Sequence, residues 1–429
     1  MNRILKAFLI GIVLVIAVQG AYAEKKNSDE TPVEKSKENE KNKKVVNSEK
    51  KATETTPAPE TNTECKFCRW IDLQTATIST RYRWVQSNGV VTKSMLKAQP
   101  YLKVGEKIRV KQVQQQQIYE FNFKFDEAGR YKIHTRLSSG RYFTRSFSET
   151  GWGDQFNGEG SWMIYPRQFY FSAEPVKGLE FQYGGLDINH GENTENTTYD
   201  NDGYVTGERI KLKRPDKVWF DEVSVTYAFF GGLYKPSFFD RAQYLNKSNY
   251  HQFLVAKKFF GNRVATSLDY TSHATMSHLR EGMVVKTPEL KVVDSIRVEG
   301  YHRLEDYRGV KHSSGYNVQV EKNIKGKLFL QGGLANEDYR YNVLTIEDYN
   351  YLKPKYIQAA GTLTADRMIR GMSPYLNWKY QLSPEFSVFG FMTMDINKPT
   401  PLPFVYNGDH FSVGVQFDLK KVLQKKNLF

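Results

Sequence analysis

The chain has 429 residues, of which 25% are charged and 40% hydrophobic, with a formal net charge of +14. Outside the first two dozen residues no run approaches the roughly 18 apolar residues that a membrane helix requires, so a helical membrane protein is excluded. The leader carries +2 of the charge and residues 24–64 carry −1, which leaves +13 for the remainder, a balance suited to anionic lipid headgroups, anionic solutes or nucleic acid.

Residues 1–23 read as a signal peptide. Arg3 and Lys6 precede an apolar run from Ala7 to Val18, and Ala21-Tyr22-Ala23 puts small residues where a signal peptidase cuts. Export removes nucleic acid from the partners. Residues 24–64 mix Lys with Asp and Glu and hold Val33, Val45 and Val46 as nearly their whole apolar content, too little to offset the entropy of ordering. This predicts a disordered periplasmic linker, either a solvated spacer or a tether to a periplasmic partner or the cell wall.

The lead-in at 65–69 holds both cysteines of the chain, Cys65 and Cys68. In an exported protein a local disulfide is the economical reading, with a thiol pair for exchange or assembly as the alternative. Arg69 stands where covalent haem attachment needs a His, and no His lies nearby in sequence to complete a tetrahedral zinc site. No cofactor and no metal are expected.

From residue 70 onward the signal is alternation with a period of two, which sends successive side chains to opposite faces of a sheet. Tyr119, Phe121, Phe123 and Phe125 alternate with Glu120, Asn122 and Lys124; a turn at Asp126–Arg130 follows; then Tyr131, Ile133, Thr135 and Leu137 alternate with Lys132, His134 and Arg136. One face of this hairpin is greasy and the other charged. The pattern returns at 220–229, 264–271, 316–321, 377–381 and, most strongly, His410 to Leu419. Segments of about ten residues cross a hydrocarbon layer when tilted.

The connections fall into two kinds. Short turns at Glu174–Gly178, Phe260–Arg263, Asn323–Lys327 and Leu382–Glu385 contrast with long polar stretches at 141–165, 188–203, 231–249 and 337–354. Such asymmetry is that of a barrel with periplasmic turns and external loops. The expectation is an all-β, antiparallel up-and-down transmembrane β-barrel of 16–18 strands over residues 70–419, with a C-terminal tail at 420–429. The count is open by one hairpin, because short turns near 366–369 and 382–385 would fall on opposite sides of the membrane. No repeat of the size of a propeller blade is seen.

The opening strand Ala76-Thr77-Ile78-Ser79-Thr80-Arg81-Tyr82-Arg83-Trp84, the paired strands at 117–139 and the closing strand resemble those of Gram-negative outer-membrane porin-like barrels, and more loosely the alginate-export type. That second resemblance implies eighteen strands and a lumen rich in Arg and Lys. Such barrels usually end on the aromatic of the last strand, a signal read by the barrel-assembly machinery, whereas this chain runs on to Phe429; Phe417 or Phe429 would serve. The Cys-x-x-Cys ahead of the barrel is similar to that of some porin–cytochrome electron conduits.

If the greasy face meets lipid, Arg81, Arg83, Lys124, Lys132, His134, Arg136, Arg297, Arg303 and Lys379 point inward and line the pore, together with Glu120, Glu222, Asp269, Glu299 and Glu321. The excess is positive, which favours anions, unless these charges neutralise one another across the lumen. The eight histidines, including His190, His251, His273, His278, His302, His312 and His410, show no recognisable pairing with a serine, so no catalytic residue and no enzyme are expected.

The functional expectation is a passive outer-membrane channel for small or oligomeric anionic solutes, narrowed by loop 141–165 or loop 231–249 folding inward. The alternatives are the barrel sheath of an electron-transfer conduit and a surface-loop binding protein without conductance. Outer-membrane lipid, lipopolysaccharide and the assembly machinery are the expected partners. The oligomer, monomer or trimer, is left open.

Overall fold

The computed structural model describes residues 69–90, 107–139, 164–194, 204–214, 219–229, 237–273, 276–304, 314–337, 343–345, 357–359, 371–394, 396 and 408–426. The expected signal peptide, the linker and both cysteines lie outside them.

The strands in chain order are β1 (Ile71–Val90), β2 (Lys107–Lys124), β3 (Tyr131–Ser139), β4 (Ile164–Val176), β5 (Leu179–Asp187), β6 (Tyr204–Lys213), β7 (Glu222–Phe229), β8 (Tyr250–Phe259) and β9 (Val264–His273). Then come β10 (Met276–Lys286), β11 (Ser295–Arg303), β12 (Ser314–Ile324), β13 (Leu328–Glu337), β14 (Val343–Thr345), β15 (Ile357–Ala359), β16 (Gly371–Gln381), β17 (Phe386–Thr393) and β18 (Gly408–Asp418). Among the described residues, all but β14 and β15 join one closed barrel, every neighbour antiparallel and β1 sealed against β18. The barrel therefore has sixteen strands. This is the lower end of the expected range and two fewer than the alginate-export likeness implies. The small β14–β15 hairpin stands apart.

The strand-count ambiguity resolves at β13, which pairs directly with β16. Among the described residues no barrel strand stands between them, and the expected short turn at 366–369 lies outside those residues. Every other short turn, and the start of β1 and end of β18, gather at one end of the barrel; most long connections lie at the other. One break in this rule is the link from β9 to β10, only Ala274-Thr275 long, on the long-loop side.

Burial runs inside out. Val225, Phe253, Leu268 and Val318 are 49, 47, 50 and 39% exposed, while Arg209, Asp269, Asn317 and Gln319 on adjoining positions are at most 1% exposed. Soluble domains bury the greasy set instead, because each large apolar side chain left in water forfeits about 1.5–3 kcal/mol. The alternation that the sequence shows thus builds an apolar outer wall around a polar interior, and closure leaves no unpaired edge along most of the circumference.

Candidate functional site

Barrel pairing fixes which residues share the interior. All nine basic positions expected to face inward lie on the inner face, but they differ in access. Lys379 is exposed, and Lys124, Lys132, Arg136 and Arg297 are half-buried. Arg81, Arg83, His134 and Arg303 are almost wholly covered. His134 hydrogen-bonds Asn122 at 3.0 Å and stacks on Tyr170. Long stems laid along the wall bury such cations without removing their polar ends from partners. The accessible basic surface is therefore smaller than a simple reading of alternation implies.

The interior is not an open tube. Beyond β5 the chain turns inward, and residues 188–194 run across the inner faces of five consecutive strands. The side chain of Asn189 donates to Ser224 Oγ at 2.9 Å and to Glu222 Oε1 at 3.3 Å on β7. Gln252 on β8 donates to the Asn189 carbonyl at 2.6 Å. The Glu192 N–H donates to Ser267 Oγ on β9 at 2.8 Å, and Asn193 Nδ2 to the Glu281 carbonyl on β10 at 3.0 Å. On β11, Thr194 Oγ1 donates to Glu299 Oε2 at 3.0 Å and the Arg297 guanidinium to the Glu192 carbonyl. Each such bond is worth only about 0.5–1.5 kcal/mol net, so the loop is held by their number.

Beneath the loop the wall is prepared for it. Asp269 sits 3.5 Å from Arg280 and accepts hydrogen bonds from Thr271 and Gln252, and Leu254 is 1% exposed. Gly191 adopts φ +59°, and a Cβ there would meet Ser267 Oγ at 2.6 Å and Leu254 Cδ1 at 3.0 Å. Only glycine permits both that conformation and that approach. At the loop's base Arg209 reaches Asp187 Oδ1 at 2.7 Å and Thr226 Oγ1 at 2.8 Å, which ties the end of β5 to β6 and β7.

The inward loop was expected at 141–165 or 231–249. The first lies almost entirely outside the described residues. The described part of the second, 237–249, packs on the outer face instead: Phe238 stacks on outward Phe169 at 5.5 Å, in the space left by Gly185, and Tyr244 stacks on Phe229 at 4.7 Å. Four aromatic rings gain more against an apolar wall than in a water-filled lumen. Sequence reasoning also missed Arg209, Asp269, Arg280 and Gln252 as the loop's foundation. A positive-φ glycine between Asn189 and Asn193 is the local signal that could have pointed to it.

The wall opposite the loop, from β12 round through β18 to β3, carries Lys379, Lys124, Lys132 and Arg136. Lys379 Nζ donates to Gln416 Oε1 at 2.6 Å, and Tyr375 lies flat with its hydroxyl on Asn317 and Gln319 at 2.8 and 2.9 Å. Of these side chains the Tyr375, Asn317 and Gln319 groups are buried, and the Lys379 ammonium is the one exposed to exchange hydrogen bonds with a passing polar solute. Among the described residues no cluster of His, Cys, Asp and Glu is arranged to hold a metal ion.

No protein-family model matches the sequence, and no curated protein matches it. Solved structures with a similar fold include a triple mutant of Rhodopseudomonas blastica porin, at 11% identity and a TM-score of 0.43, covering 81% of this chain and 99% of that one. A second mutant of that porin is 10% identical with the same TM-score and coverage. The likeness is weak, and the functional reading rests on the barrel's own geometry.

Proposed function

We propose that this chain is a bacterial outer-membrane channel, through which small polar solutes pass along a lumen narrowed by the loop that follows β5. The observation that carries the reading is the clasp of residues 188–194 onto five strands inside a closed barrel. A polypeptide fixed across the interior constricts it at one level while the opposite wall stays lined by polar groups. An apolar outer wall built of strands about ten residues long matches the thickness of a hydrocarbon layer. The barrel's short-turn end, where both described termini meet, is the periplasmic side, as a chain entering from the periplasm requires.

The accessible cations Lys124, Lys132, Arg136 and Lys379 give the free wall a positive potential, focused by the low-dielectric surroundings. Anions, including acidic oligosaccharides, are the favoured solutes. Planar-bilayer recordings under a KCl gradient test this. The reading expects stepwise conductance with a reversal potential displaced toward chloride, and a displacement reduced in K124Q/K132Q/K379Q. A folded barrel that never conducts contradicts the channel, and cation preference contradicts the role of the basic wall.

A further inference from the structure

The last strand ends before its partner does. Asp418 of β18 pairs with Thr77 of β1, yet β1 continues to Ile71, so residues 71–76 run along β2 on one side and, among the described residues, have no strand on the other. At this seam the chain turns into a helix, Leu419–Lys425, capped by the Asp418 side chain accepting from the Lys421 N–H. The helix lies against β1. Lys420 Nζ donates to the Gln74 carbonyl at 3.0 Å, meeting one of the edge carbonyls that the missing strand leaves. Outward Leu73 and Ala76 are 5 and 2% exposed here, whereas Tyr82, Phe123 and Phe417 on the same three strands are 39, 40 and 37% exposed. A helix with apolar Leu419, Val422 and Leu423 at i, i+3 and i+4 accounts for that cover.

The other face of the same helix is basic. Lys421, Gln424, Lys425 and Lys426 are exposed. Lys425 leans to Glu385 at 3.6 Å, while among the described residues Lys421 and Lys426 have no ion-pair partner. Elsewhere at this end of the barrel the outward lysines are neutralised: Lys257 by Asp221 at 2.8 Å and Lys322 by Asp294 at 2.6 Å. Unlike these strand lysines, Lys421 and Lys426 stand unneutralised on a short amphipathic helix lying outside the barrel, beside its apolar wall. An amphipathic helix in that position, apolar side inward and lysines outward, has the design of an interfacial helix that meets anionic headgroups.

We propose that Leu419–Lys425, with Lys426, is a binding site for anionic phospholipid headgroups of the periplasmic leaflet, seated at the barrel's closing seam. The inference rests on the membrane reading above but not on conductance. The lipid is favoured over an acidic protein because the helix lies on the outer wall beside the apolar belt, where acyl chains and headgroups are both in reach.

Native mass spectrometry of the folded chain in detergent, offered equal amounts of phosphatidylglycerol and phosphatidylethanolamine, tests it. The expected result is a several-fold preference for phosphatidylglycerol, lost in K421Q/K426Q and weakened by salt, but kept in the control K291Q/K325Q, which alters turn lysines at the same end. Equal retention of the two lipids by the unaltered chain overturns the proposal, as does a preference that survives in K421Q/K426Q or falls equally in the control. Both altered side chains are exposed, so heat-modifiable gel migration should show an intact barrel in each variant. A chain that enters no bilayer at all removes the membrane reading itself, a separate outcome.

Discussion

At the scale of single residues, two positions depend on space that only glycine leaves. Gly191 lets the inward loop settle on Ser267 and Leu254, and G191A adds a Cβ to a left-handed backbone with contacts inside 3.0 Å. The loop then lifts from its seat; the expected readout is a larger and noisier single-channel conductance, with the barrel's melting temperature little changed. Unaltered conductance in G191A would remove the loop from the narrowest point. Gly300 is the second position. Over it lies the side chain of Glu281, an outward-facing carboxylate in the apolar wall, which reaches His302 Nε2 at 2.8 Å. Both side chains are largely covered, at 15 and 29% exposure. Removing one partner of a covered polar pair costs more than removing both, so H302L should destabilise by about 2–3 kcal/mol and E281L/H302L should recover most of it. Urea unfolding of the two variants decides this, and equal losses would contradict it.

At the scale of elements, the periplasmic end repeats one device. Asp221, at the entrance to β7, binds Lys257 Nζ at 2.8 Å and the Lys258 N–H at 2.6 Å; Asp294, at the entrance to β11, binds Lys322 Nζ at 2.6 Å and the Asn323 N–H at 2.7 Å. In each case one carboxylate fastens the incoming strand to the end of the next strand, its hydrogen-bonded neighbour. The hydrogen bond from Lys322, then that from the Asn323 N–H, hold the Asp294 carboxyl below its ordinary value. A depressed folded value means the contribution is present above the unfolded carboxylate range, near pH 4, and is lost as pH falls through the folded value. Thermal melts between pH 5 and 2 should therefore show a shallower acid decline in D294N than in the unaltered chain. Parallel curves would deny Asp294 that role.

The two turn classes were legible from sequence because Gly, Pro and Asn mark where strands cannot continue. The helix after β18 was read only as a tail. Seven residues are too few to show a helical period on their own, and the unpaired edge of β1 that calls for them is a property of the register.

For the whole molecule, alternation was the decisive signal, and it specified class, inner face and outer face together. Phe121 and Phe123 against Asn122 and Lys124 suffice to orient β2, and closure propagates that orientation to every neighbour. What alternation could not supply was depth and access. Arg81 and Lys379 read alike along their strands, yet the structure covers one and exposes the other. Nor could it find the loop, since Asn189 to Thr194 look like any polar connection until partners up to 105 positions away come within reach.

The central claim, a lipid-facing wall around a watery interior, is tested most directly by labelling single cysteines placed at neighbouring positions of β16 and β18 in a chain whose Cys65 and Cys68 are replaced by Ser. In reconstituted vesicles, cysteines at Lys379 and Gln416 should react with a charged, water-soluble thiol reagent, and those at Tyr380 and Val415 only with a lipophilic one. If the water-soluble reagent labelled all four alike, the wall would not face lipid and the account of the lumen would fail with it.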